Sequence, residues 1–219
     1  MGSIDRKSIT KKRLILASQS PRRKELLEQA GVEFEIVPAD IEEQIMPSEL
    51  PDEYVRRLSR EKAQFVAHQL KESSSMKGNT VSQKERTIWV IGADTTVVMG
   101  TKLLEKPVSE DDAKQMIETL NGRTHIVYTG FTLHCQTEEK TITHSVKTEV
   151  LFKNLTAHEI EWYVSTGEPF DKAGGYAIQG LGAFMVKSIN GSYSNVVGLP
   201  VCEVMEVLIK EHIIDMGQI

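Results

Sequence analysis

The segment Ile15–Leu27, ILASQSPRRKELL, frames the reading of the whole chain. Ile15, Leu16 and Ala17 have the character of a buried strand end. Ser18, Gln19 and Ser20 make a short polar turn, and Pro21 suits the first turn of a helix whose buried side carries Leu26 and Leu27. Ser20 is the natural N-cap of that helix. Arg22 and Arg23 follow where unpaired backbone N–H groups already favour an anion, and two guanidiniums add multidentate donors for phosphate oxygens. The competing reading is a capped helix with solvent-facing arginines.

Working outward, 219 residues with 40% hydrophobic content can bury a substantial core, as one large domain or two closely joined lobes. The net charge of -5 and the dispersed basic residues argue against a broad nucleic-acid surface while allowing a local anion pocket. Cys135 and Cys202 are too few for a disulfide scaffold and stand outside any metal-spaced cluster, which fits reduced cysteines. The polar start MGSIDRKSITKKR has no signal-peptide core, and no apolar run is long enough to cross a bilayer. A cytoplasmic protein without a stable membrane or nucleic-acid partner is expected.

Phe34–Val37 is a short strand candidate ending at Pro38, and the following ADIEEQ places Asp40, Glu42 and Glu43 beyond a sheet edge. Pro51 opens a helix expected to reach about Leu70, with Tyr54, Val55, Leu58, Val66 and Leu70 on its apolar face. Lys62 falls in line with Leu58 and Val66; its ammonium either enters a cleft or snorkels over the core edge, and the pattern favours snorkelling. Residues 72–87 read as a flexible surface insertion within a domain spanning 13–212.

Ile88, Val90 and Ile91 form a strand followed at once by GADTT, which puts Asp94 and Thr95 at its end and makes Asp94 the best local candidate for a base or metal carboxylate. Val97–Met99 is read as another short strand turned by Gly100. Lys106 holds a restricted position before Pro107, and Ser109 and Thr156 open capped helices. Strands are expected over Ile126–Leu133, Ile142–Phe152 and Ala183–Ile189. FDKAGGYAIQG places Asp171, Lys172, Tyr176 and Gln179 in a glycine-rich loop, and Asn190-Gly191 signals a hairpin before a last amphipathic helix.

If these polar segments converge, Ser20, Arg22 and Arg23 can hold phosphate oxygens, and Glu43 and Asp94 can support a divalent cation or water. Lys62, Lys106 and Lys172 would counter charge developing in phosphoryl transfer. By attraction they would also hold Asp94 deprotonated, as a weak base.

The ordered series SQSPRRKELL, DIEEQ, REKA, GADT, LEKP, DKAGGYAIQG and NGSYSNVVGLP resembles the Maf family of nucleotide pyrophosphatases across almost the whole chain. The resemblance implies an α/β, Maf/Ham1-like (ITPase-like) fold, with a long mixed twisted sheet and two lobes flanking an active-site cleft. It implies hydrolysis of a nucleoside triphosphate to monophosphate and pyrophosphate with Mg²⁺ or Mn²⁺. Matched positions make Asp94 the base or activator of metal-associated water and give Glu43 metal or water organisation. They assign phosphate binding to Arg23, polyphosphate stabilisation to Lys62 and Lys106, and base recognition to Gln179, with Ser18 and Ser20 near phosphate. The PRR and AIQG forms resemble the branch acting on dTTP and UTP, and family members often form homodimers. GGY departs from the more usual GAY of the family. The alternative reading is a nucleotide-binding regulator that hydrolyses slowly.

Overall fold

The structure is a computed structural model that describes residues 12–76 and 87–215. A seven-stranded mixed sheet has the order β2-β1-β3-β5-β6-β7, with β4 paired to β3. β1 (Arg13–Leu16) lies parallel to both β2 (Glu35–Ile36) and β3 (Ile88–Met99). β3 runs antiparallel to β4 (Lys102–Leu104) and to β5 (Thr124–Cys135), which pairs in turn with β6 (Lys140–Phe152), and β6 with β7 (Val186–Asn190).

The helices are α1 (Pro21–Gln29), α2 (Pro51–Met76), α3 (Glu110–Leu120), α4 (Ala157–Ser165), α5 (Tyr193–Val197) and α6 (Val201–Lys210). Their starts follow from local chemistry. Ser20 accepts from the Arg23 amide, Ser109 accepts from the Asp112 amide, and Thr156 with Glu159 forms a reciprocal capping box. Among the described residues no helix is long and apolar enough to cross a membrane.

Two apolar clusters share the sheet. Leu16, Leu27, Trp89, Ile91, Phe131 and Leu208 form one, joining α1 and α6 to the strands. Leu104, Ile117, Leu120, Val127, Phe152 and Tyr163 form the other under α3 and α4. Ile91, Ala93, Thr95 and Val97 share one face of β3, and position along the strand divides them: Ile91 and Ala93 belong to the first cluster and Val97 to the second, with Thr95 between. The opposite face of β3 carries Val90, which packs against Ala63 and Val66 of α2.

Two glycines set how closely α2 approaches. A Cβ on Gly92 would lie 2.2 Å from the Ser59 carbonyl oxygen, and one on Gly130 would lie 2.3 Å from that of Val55. Only a residue without a side chain lets the helix backbone rest on β3 and β5 at this separation.

Several boundaries differ from the sequence reading. Ile88–Met99 is one strand of 12 residues, so Asp94 and Thr95 sit mid-strand rather than at a strand end. Continuous pairing with β5 from Val90 to Val98 carries the backbone through Gly92. Asn190-Gly191 makes no hairpin, because Ser192 caps α5 immediately afterwards. The expected strand Ala183–Ile189 begins only at Val186, after a 3-10 segment over Gly180–Met185. The Phe34–Val37 candidate shrinks to Glu35–Ile36, whose side chains are exposed. α2 continues to Met76 and takes in the start of the proposed insertion, while 77–86 lie outside the described residues.

Candidate active site

The site begins where β3 changes neighbours. β1 pairs with it up to Ile91 and β4 from Val97, so among the described residues 92–96 have a strand partner on the β5 side alone. In that gap Asp94 points towards α2 and Thr95 towards α1.

On the α1 side the chain leaves the sheet after Ala17, whose amide donates to the Ile91 carbonyl at 2.8 Å. Ser18 turns it into the helix, and Arg23 folds back inward. Its Nε donates to the Gly198 carbonyl (2.8 Å), Nη1 to Ser18 Oγ (3.1 Å) and Nη2 to Thr95 Oγ1 (3.2 Å). Burial lowers the Arg23 pKa, partly offset by Asp94 and Glu43, and an arginine stays cationic in such a setting.

On the α2 side, Lys62 reaches the gap along the stripe Tyr54, Leu58, Lys62. Its Nζ lies 2.7 Å from Asp94 Oδ1 and 2.6 Å from Glu43 Oε1. Lys62 is 7% exposed and Asp94 6%, so the ammonium is buried between two carboxylates and does not snorkel. The snorkelling reading fails because burying a free carboxylate costs more than extending the lysine inward to pair it.

Burial pushes the Asp94 carboxyl above its ordinary value, outweighing the attraction of Lys62 and Arg23. This reverses the expectation that the lysines would leave it a weak base. In Glu43, burial is overcome by Lys62, with help from Lys106 and Arg23, and its pKa falls. The more exposed carboxylate thus stays firmly ionised while the buried one gains proton affinity.

These groups line one open pocket of about 250 Å³. Ser20, Arg22, Arg23, Glu43, Lys62, Asp94, Lys106, Lys172 and Gln179 all contribute to its walls. Ser18 is absent from that lining; its hydroxyl accepts from the Ser20 amide and from Arg23, and so it holds the arginine. At the rim Arg22 Nη1 meets Asp171 Oδ2 at 3.2 Å, and Lys172 also pairs with Asp171.

Sequence reasoning gave no site role to Tyr54, Glu105 or Gly198. The Tyr54 hydroxyl donates to Glu105 Oε1 at 2.6 Å, and both residues line the pocket. The signal for Tyr54 was its place on the Lys62 stripe, with a hydroxyl that demands a partner when buried. Nothing local marked the Gly198 carbonyl.

Glu43 and Asp94 converge on one cation in this structure, and two carboxylates completed by phosphate oxygens and water suit a hard divalent ion. Among the described residues no cluster of three or more His, Cys, Asp or Glu side chains is placed to hold a metal by itself.

The description "Maf-like protein" matches the chain over residues 13–211. A dTTP/UTP pyrophosphatase of Syntrophus aciditrophicus is 46% identical over 196 residues, covering 90% of this chain and 88% of the relative. The protein of the same name from Geotalea uraniireducens is 46% identical over 198 residues, covering 90% and 94%. That from Geobacter sulfurreducens is 45% identical over 196 residues, covering 90% and 95%. With a match running from β1 through α6 and relatives this similar along nearly their full length, the chain belongs to the Maf family.

Proposed function

We propose that this protein is a nucleoside triphosphate pyrophosphatase that converts dTTP and UTP to the monophosphates and pyrophosphate. The observation that carries the reading is the buried Lys62–Asp94 pair, met by Glu43, sharing one pocket with Arg23, Arg22, Lys106 and Lys172. The names of the relatives supply the base preference.

Water attacks the α-phosphorus, the bond to the α,β-bridging oxygen breaks, and pyrophosphate departs. Asp94 takes the proton from that water; its raised pKa makes it a better acceptor than an exposed aspartate. Glu43 and Asp94 are the residues that would hold Mg²⁺ or Mn²⁺, which supplies charge neutralisation and a more acidic water when bound. Arg23, held by Ser18, Thr95 and Gly198, offers fixed positive charge to the phosphates. Lys62 and Lys106 offset charge developing on the leaving group. Ser20 and Arg22 bind phosphate at the α1 end and Lys172 at the rim. The Gln179 amide pairs a donor and an acceptor with the pyrimidine edge.

In this reading the two apolar clusters are the cores of two lobes and the pocket is the cleft between them. A cytoplasmic homodimer belongs to the same reading and rests on the family resemblance.

Purified protein should be incubated with dTTP, UTP, CTP and modified nucleotides in Mg²⁺ or Mn²⁺, with products identified. Monophosphate and pyrophosphate from dTTP and UTP are expected. Stepwise release of single phosphates would contradict the mechanism, and tight binding without turnover would favour the regulatory alternative.

A further inference from the structure

Glu43 stands in a connection that has neither helix nor strand, between Ile36 of β2 and Pro51 of α2. Val37, Ala39 and Ile41 pack its first half against the sheet and α2, but from Glu42 to Leu50 it is mostly exposed, including Ile45, Met46 and Leu50, so apolar burial contributes little to fixing it beyond Glu43. On the far side of Glu43, from Gln44 to Glu49, its attachment comes from Arg57. The Arg57 Nη2 donates to the Gln44 carbonyl at 2.7 Å, one residue from Glu43. The same guanidinium grips Glu49 with both carboxylate oxygens, Nε to Oε1 at 2.6 Å and Nη2 to Oε2 at 2.7 Å. These two side chains are only 13% and 9% exposed, far from an ordinary surface pair. Glu61 receives Nη1, and the guanidinium carbon lies 5.6 Å from the Tyr54 ring centroid. Glu49 also accepts from the Met46 amide, which closes the end of the connection on itself.

We infer that Arg57 is the positioning residue for Glu43: it clamps the 37–50 connection onto α2 so that the Glu43 carboxylate meets Lys62 and Asp94. Arg57 does not line the pocket and touches no reacting group. A planar fork suits this work, because one side chain must satisfy a carbonyl and a carboxylate together. The anchoring also explains why a carboxylate 40% exposed keeps a 2.6 Å contact with Lys62: the chain beside it is held to the helix that carries the lysine. This inference rests on the catalytic reading of Glu43 given above.

The test is a double-mutant cycle on dTTP hydrolysis, with Arg57→Ala, Arg57→Lys, Glu49→Gln and Glu43→Gln, each also followed by limited proteolysis of the 37–50 connection. Arg57→Ala should lower kcat by roughly ten- to a hundredfold, the scale for a displaced catalytic group, with the nucleotide KM changing less than about threefold. Glu49→Gln, which disturbs the clamp from its other end, should lower kcat in the same direction, and Arg57→Lys should recover only part of the loss. In the Glu43→Gln background Arg57→Ala should add less than about a further twofold, since nothing remains to position. Cleavage within 37–50 should speed up in Arg57→Ala while the rest of the chain keeps its protection. Full additivity of Arg57→Ala with Glu43→Gln, or unchanged kcat in Arg57→Ala, would overturn the inference while leaving the catalytic reading in place. If Glu43→Gln is fully active, both fail together.

Discussion

Lys62 Nζ and Asp94 Oδ1 lie 2.7 Å apart, both side chains almost wholly enclosed, one from the middle of a helix and the other from the middle of a strand. Glu43 completes the group from an irregular connection. Removing different members of this cluster should therefore have different consequences.

Asp94→Asn leaves Lys62 paired with Glu43, so it should cost stability no more than about 3 kcal/mol, the scale of one charged hydrogen bond. Turnover should fall by at least about a hundredfold with loss of the base. Lys62→Met instead leaves the buried Asp94 carboxylate without its cation and should destabilise by about 3–5 kcal/mol. Urea unfolding beside steady-state kinetics separates the two patterns; equal destabilisation would refute the assignment of Lys62 as the shared partner.

Gly92→Ala and Gly130→Ala should each destabilise by more than about 2 kcal/mol, because the new methyl meets helix backbone instead of a side chain that can swing away. Activity of whatever folds should drop too, since lifting α2 separates Lys62 from Asp94. A native melting temperature in either variant would show that the helix can sit higher without penalty.

Arg23→Lys should raise the nucleotide KM by at least about tenfold although charge is retained, since an ammonium cannot serve Gly198, Ser18 and Thr95 while facing a phosphate. Initial rates across a nucleotide titration measure this. An unchanged KM would mean that charge alone matters at this position.

His125, 1% exposed and bonded through Nε2 to the Tyr176 hydroxyl at 2.7 Å, has its pKa pushed down to about 4 by burial. The unfolded chain takes up this proton near pH 6.5 and the folded chain only near 4. The associated stability is therefore complete above pH 6.5 and is lost as pH falls towards 4, amounting to about 3 kcal/mol. Unfolding free energies measured from pH 7.5 to 4 should decline, and His125→Asn should flatten that decline. An equally steep curve in the variant would place the acid sensitivity elsewhere.

Much of the fold was legible in local patterns. The Ser20 and Thr156 caps, the apolar face of α2 and the long β5 and β6 strands all follow from short-range chemistry that survives in the folded chain. The misread places are those where sheet pairing, or a competing signal a residue further on, overrode a local one. Local pattern ends the strand at Ile91, yet pairing with β5 carries it through Gly92 to Met99. Asn190-Gly191 resembled a hairpin, yet the Ser192 hydroxyl began a helix instead. The candidate site was legible as a set of residue types in order; Tyr54 and Arg57 escaped because one was counted as core and the other had no local reason to be noticed.

The sequence by itself determined which side chains were available and, through caps and apolar periodicity, which segments became helices and strands. Tertiary structure alone decided that Asp94 would be buried against Lys62, and hence that its proton affinity would rise instead of fall. Residue order cannot show how much water is excluded from a carboxylate. That depends on the closeness of α2 to β3, which is settled only when the sheet and helix pack.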